Sequence, residues 1–372
     1  MKSKILSAAL IIFVFLSIVP SLSRAEKNFD ELLKQATEEK QAEWDVYEGE
    51  IQRIDAEFDR LWRERKAEIE QKWDEALRST NKEWVDYSGD LNARSAVDFE
   101  KGVVDVTAIV PAIEKDIIPR AEDLVADQLK KILSAENDSR QRILENQIAL
   151  DPGKTVTPDT TTAFVEKAKK QVVIDKKPFV PKDGVPRVKV TVRFNLLPNH
   201  LQIRAKKFHA EIGRYSSKFG IPPDLVMAVV HTESYFNPLA VSPADAHGLM
   251  QLIPKYGARD AYRMVYKKDR VVPPEYLYIP HNNIELGSAY LSLLRDRVFN
   301  SITDKLKQLY LVICAYNWGP GAVKRNIVNK NNISTMTSDQ VYQTLRQQTP
   351  EETSNYLKRV TERMKLYAKL FR

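Results

Sequence analysis

The 372-residue chain carries a single cysteine, Cys314, and only five histidines. One thiol excludes an internal disulfide framework. His209, His231, His247 and His281 stand at spacings that match no metal-ligand pattern, so neither a metal nor any other cofactor is expected. Long apolar runs are missing beyond the amino terminus. The one present, Ile5 to Val19, is shorter than the ~20 residues a spanning helix needs. It follows Lys2 and Lys4 and precedes Ser23-Arg-Ala25, the layout of a leader cleaved after Ala25. No cysteine follows that run to accept a lipid. Export to the periplasm without a lipid anchor is therefore the expectation.

Charge is divided along the chain. Residues 198–372 hold 25 Lys and Arg against 14 Asp and Glu, whereas residues 26–197 hold 29 against 36. A basic carboxy-terminal half calls for an anionic polymer as partner. Export argues for cell wall rather than nucleic acid.

Proline is absent from Phe29 to Trp84 and Gly49 is the only glycine there, so this charged stretch is expected to be helical. Trp44, Tyr47, Ile51, Ile54, Phe58 and Leu61 step by threes and fours, and Trp62, Trp73 and Trp84 stand eleven apart, about three turns on one face. Packing in a coiled coil or helical hairpin, with other cell-wall proteins as partners, is the reading. The pattern then becomes mixed. Val97 and Phe99, Gly102 in a turn, and Val104, Val106 and Ala108 form a hairpin signal. Residues 112–134 read as a helix interrupted at Pro119. Val188, Val190, Val192 and Phe194 alternate with polar residues, and 151–187 reads as a long connection. From Leu201 onward helical periods dominate, broken at prolines. The expected architecture is mainly α: a leader (1–25), a long amphipathic helical segment (26–86), a small α+β domain (87–197) and an all-α domain (198–372).

Pro222-Pro-Asp224 opens a helix whose Leu225, Val226, Val229 and Val230 form an apolar stripe, and Glu233 continues that stripe. Desolvation raises the pKa of a carboxyl so placed, as a general acid working near neutrality requires. On periodicity alone, a buried glutamate satisfied by an arginine or by backbone amides is the alternative. Gly248-Leu-Met-Gln251 and Ala315-Tyr-Asn-Trp-Gly319 then present amide and aromatic side chains at glycine-permitted turns, groups suited to N-acetylated sugars.

With Glu233-Ser234 in this order, these segments resemble the motif set of the soluble lytic transglycosylase family, which has a goose-type lysozyme-like fold. The resemblance covers roughly residues 205–370. It implies that Glu233 is the catalytic acid and that Ser234, Gln251, Tyr316 and Asn317 serve the substrate. Glu351-Glu-Thr-Ser-Asn-Tyr356 is similar to the last motif of that family, whose tyrosine points at the glutamate, so Tyr356 takes that place. Trp84 to Tyr87, Val97 to Phe99, Val190 to Val192, Leu197 to Leu201 and Val341 to Leu345 look like the membrane-bound lytic murein transglycosylase C branch, including its amino-terminal domain.

The resemblance implies a substrate, peptidoglycan glycan strands, and non-hydrolytic cleavage between N-acetylmuramic acid and N-acetylglucosamine to leave 1,6-anhydromuramoyl ends. Two alternatives stay open: a lysozyme-type hydrolase of the same bond, and a non-catalytic wall-binding scaffold. Asp245, in a Ser-Pro-Ala-Asp turn, is the candidate for a second carboxylate, although turn aspartates are usually local acceptors. His231 is expected to face away from Glu233, Cys314 to be a buried small hydrophobe, and Trp318 either to stack on a sugar or to pack.

Overall fold

A computed structural model describes residues 56, 59–137, 140–175 and 177–371. The leader and most of the amino-terminal helical segment, including Trp44 and Phe58, lie outside them. The chain divides into two units, 1–67 and 68–372. In the first, residues 59–67 are helical and Arg60 pairs with Glu64 one turn on. Everything below concerns the second.

Helix persists there only to residue 72. Trp73 is buried against Ile69, Leu91 and Ile109, and its indole N–H donates to the Leu91 carbonyl at 2.8 Å. Trp84 lies in a strand, so the expected one-face tryptophan stripe does not extend to it. Alternating Trp84-Val-Asp-Tyr87 is a β pattern, and pairing with a neighbouring strand outweighs the helical spacing.

That strand is β1 (Glu83–Tyr87), which starts ahead of the boundary expected at residue 87. With β2 (Ala93–Asp98), β3 (Val103–Pro111), β6 (Val173–Ile174) and β7 (Arg187–Asn195) it forms a five-stranded sheet in the order β1-β2-β3-β7-β6. All pairings are antiparallel. The hairpin expected around Gly102 joins β2 to β3. Gly102 has φ 68°, and a Cβ there would come within 2.7 Å of the His200 ring, so both backbone and space demand glycine. One face of the sheet is covered by α1 (Ile117–Ser134), which buries Ala121, Val125, Leu129 and Ile132 at helical spacing. Pro119 sits in the first turn of α1, where no intrahelical N–H is needed, and so does not interrupt it. The connection after residue 151 is partly structured: a small hairpin of β4 (Ala149–Asp151) and β5 (Lys154–Thr155), then α2 (Thr161–Ala168) and β6.

From His200 the structure is helical: α3 (His200–Phe219), α4 (Pro223–Ser234), α5 (Gly257–Tyr266), α6 (Pro274–Tyr278), α7 (Pro280–Leu293), α8 (Lys305–Trp318), α9 (Pro320–Val323), α10 (Ser338–Gln348) and α11 (Glu351–Tyr367). Helices α4, α6, α7 and α9 all begin at a proline, the position where a fixed φ and a missing donor cost least. Four of the prolines that interrupt the sequence pattern are thus helix starts.

Helix α4 departs from expectation in one respect. Instead of a single apolar stripe it is buried on all sides, Leu225 through Thr232 without exception. It lies in the middle of the helical core, against α11 and α3. Cys314 is fully buried in the same core, as expected.

Candidate active site

From Leu225 to Pro238 the only residue that is not buried is Glu233. A hydrophobic helix has been driven through the core so that its last turn leaves one carboxylate half-buried at the edge of that core. Burial of most of that carboxyl raises its pKa from 4.5 to about 7. A hydrogen bond from Tyr356 and the positive charge of Arg359 oppose the rise, and the charge of Glu352 adds to it. The Tyr356 hydroxyl donates to Glu233 Oε1 at 2.7 Å. Burial and the neighbouring Glu233 hold Tyr356 far above its usual range, so it stays protonated and donates to the carboxyl. Near neutral pH the carboxyl is divided between its two forms. It can give up a proton and later take one back.

The Gly248 turn is fastened beneath this group. Ser234 is fully buried, and its hydroxyl faces the carbonyls of Leu249 (2.7 Å) and Val230 (3.0 Å). It locks the turn to the helix end, and a sugar cannot reach it while the turn is closed. Tyr316, from α8, donates to the Met250 carbonyl at 2.8 Å. Gln251 has φ 48° and donates through Nε2 to the carbonyls of Gly248 (3.0 Å) and Ala240 (3.1 Å). Its Oε1 is buried and has no hydrogen-bond partner among the described residues. An acceptor left in that state costs about 1–3 kcal/mol. Asn317 accepts from Thr353 at 2.6 Å and lies 3.5 Å from Glu352. Three separated segments therefore converge on α4: the Gly248 turn, the end of α8 and the start of α11.

Asp245 is a turn residue, with φ 59°, that pairs with His247 Nε2 at 2.7 Å, while His247 Nδ1 meets the Tyr278 hydroxyl at 2.9 Å. It is committed to local structure. His231 packs among Tyr235, Phe236 and Tyr367, bonds the Tyr367 hydroxyl at 2.9 Å, and is pushed down to about 3 by burial, with Arg363 and Arg204 adding to the effect. Trp318 is half-buried against the helical core.

A model of the transglycosylase SLT domain matches residues 211–337. One of the amino-terminal domain of membrane-bound lytic murein transglycosylase C matches residues 23–121. The membrane-bound lytic murein transglycosylase C of Klebsiella pneumoniae is 31% identical over 331 residues, which span 83% of this chain and 89% of that protein. Its counterpart in Cronobacter sakazakii is 32% identical over 328 residues, again 83% and 89%. The chain belongs to the membrane-bound lytic murein transglycosylase C family. Among solved structures, the 70 kDa soluble lytic transglycosylase of Escherichia coli covers 68% of this chain and 44% of its own, at 18% identity and a TM-score of 0.37.

Sequence reasoning missed several groups that shape this lytic transglycosylase site. Fully buried Asn283 on α7 fastens the Gly248 turn: it accepts from Met250 N (2.7 Å) and donates to the carbonyls of His247 (2.9 Å) and Leu277 (2.8 Å). Glu352 and Arg359 share a face of α11 with Tyr356, one turn to either side, and pull the Glu233 carboxyl in opposite directions. The 3-4 spacing of Glu352, Tyr356 and Arg359 was available in the sequence. Nothing local says which helix that face meets.

Proposed function

We propose that this enzyme cleaves the glycan strands of peptidoglycan between N-acetylmuramic acid and N-acetylglucosamine, with Glu233 acting first as acid and then as base. In its protonated form Glu233 gives its proton to the glycosidic oxygen as the C1–O bond breaks. The carbonyl oxygen of the muramoyl N-acetyl group bonds to C1 and takes up the developing positive charge. The C6 hydroxyl of the same ring then attacks C1, displaces that oxygen and returns its proton to the Glu233 carboxylate. A nucleophile carried by the substrate needs no second carboxylate, because proximity supplies much of the barrier reduction.

The observation that carries the reading is the carboxyl at the end of a buried helix, held near neutral pKa and bonded by Tyr356. Tyr356 steers the proton-bearing group, and Gln251 and Asn317 take the N-acetyl and hydroxyl groups of the sugar. Tyr316 and Ser234 hold the turn that carries Gln251. Export by the leader at residues 1–25 brings the enzyme to the periplasm, where its substrate lies. Glu352, close enough to act on Glu233, is the observation that favours hydrolysis as a second reading, since a further carboxylate can serve an attacking water. Digestion of intact peptidoglycan, with the soluble products weighed by mass spectrometry, separates the two. Transglycosylation gives muropeptides lighter by one water than the hydrolytic ones, and Glu233→Gln abolishes them. Products of full hydrolytic mass would overturn the proposal.

A further inference from the structure

Glu233 is followed by a turn that should not hold itself together. Tyr235 and Phe236 are consecutive non-glycine residues with left-handed backbone, φ 50° and 62°, a conformation that costs roughly 1–2 kcal/mol at each. The groups that hold it come from the α+β layer as well as from the helical core. The Tyr235 ring belongs to the hydrophobic core of the sheet, with Val97, Phe99 and Val104. Its hydroxyl donates to Glu100 in the β2–β3 hairpin. Lys82, just ahead of β1, pairs with Glu100 at 2.6 Å and lies 5.5 Å from the Tyr235 ring centre.

From the helical side, Arg363 on α11 donates to the Tyr235 hydroxyl at 3.0 Å and covers its ring. The His231 ring stands edge-to-face with it, the ring centres 5.1 Å apart. The Tyr235 carbonyl accepts from Arg204 Nε at 2.9 Å. Arg204 is 2% exposed, and its two other nitrogens reach Gln147 (2.7 Å) and the Phe99 carbonyl (3.0 Å), both in the α+β layer. Arg363 stands two turns beyond Tyr356 on α11. One helix thus touches both the catalytic carboxyl and the residue two past it.

We propose that Tyr235 is a positioning residue through which the α+β layer, by Glu100, fixes the end of α4 and so the direction of the Glu233 carboxyl toward Tyr356. The sheet layer is then part of the catalytic apparatus and not an appended module. Without the grip, the chain after Ser234 relaxes from its left-handed turn, the last helical turn frays, and Glu233 swings toward water. This inference rests on the assignment of Glu233 as the acid.

The test uses the full chain and a soluble glycan oligomer. Tyr235→Phe keeps the ring in the sheet core and removes only the hydroxyl. Glu100→Ala removes the acceptor at a half-exposed site, and Glu100→Gln restores an acceptor without charge. Expected are a roughly tenfold fall in kcat for Tyr235→Phe and Glu100→Ala, with KM within twofold of the original, and recovery of at least half the rate in Glu100→Gln. The alkaline limb of the kcat profile should move toward acid, because a better hydrated carboxyl ionises earlier. The double variant should be no slower than either single one, as residues acting through one contact require. An unchanged kcat and pH profile in Glu100→Ala or Tyr235→Phe overturns the proposal, as does a loss of rate that merely tracks a loss of folded protein on thermal unfolding. Glu233→Gln run alongside separates the two levels: activity in that variant would remove the acid assignment itself, whereas an inactive Glu233→Gln beside a fully active Tyr235→Phe would remove only the grip.

Discussion

Replacing Glu233 by glutamine should make the protein more stable, and increasingly so as pH rises. The carboxyl titrates at 4.5 when free and at about 7 in the fold. Between those values the unfolded chain loses the proton while the folded one keeps it, so the folded state binds more protons and loses stability with rising pH. Stability is whole below pH 4.5, falls by about 1.4 kcal/mol for each pH unit through the window, and levels off above 7. The accumulated loss is roughly 3 kcal/mol. Glutamine keeps an oxygen to accept from Tyr356 and never ionises, so it escapes that loss. At about 2 °C per kcal/mol for a unit of this size, Glu233→Gln should gain roughly 6 °C in Tm at pH 8 over whatever difference it shows at pH 4. Paired thermal melts of the two proteins at matched ionic strength measure this, because titrating groups remote from Glu233 cancel in the difference. A gap that stays constant from pH 4 to 8 would refute the reasoning, since it would mean the carboxyl titrates alike in the folded and unfolded chain.

Tyr356→Phe removes a bond that lowers the Glu233 pKa, so the alkaline limb of the rate profile should move to higher pH while kcat falls about tenfold, the loss of one aligned donor to a reacting group. Gly248→Ala should cost about 3 kcal/mol in urea unfolding, because φ is 72° and the new methyl would collide with the Leu277 carbonyl and the Asn283 amide. Asn283→Ala strands Met250 N and the Leu277 carbonyl in the core, while the His247 carbonyl keeps its bond from Leu252 N; at about 1 kcal/mol for each orphaned group it should lose roughly 2 kcal/mol, and activity should fall with it as the Gly248 turn loosens.

Where the chain signals its structure locally, the sequence was informative. Four helices of the carboxy-terminal domain start at prolines that punctuate the sequence, the β2–β3 hairpin turns at Gly102, and Glu233 falls at the end of the most apolar helix. The helical boundary near Trp73 was not legible, because the eleven-residue tryptophan spacing fits one helix face as well as it fits a turn followed by a strand. Whether α4 was a one-sided stripe or a fully enclosed helix also could not be read, since that depends on what surrounds it. The same limit applies to the site. Tyr356 lies 123 residues from Glu233, and only a family motif placed it there. Asn283, Arg359 and Tyr235 carry no motif, Glu352 stands in the last motif without a role assigned by it, and each owes its role to a neighbour that folding alone supplies. The expected partners of residues 26–55 concern a stretch outside the described residues.

The most direct test of the central claim is to run the digestion in water enriched in oxygen-18 and weigh the newly formed muramoyl ends. Attack by the substrate's own C6 hydroxyl predicts that no heavy oxygen enters and that the ends are one water short. One heavy oxygen at each new reducing end would show that water is the nucleophile and contradict the account.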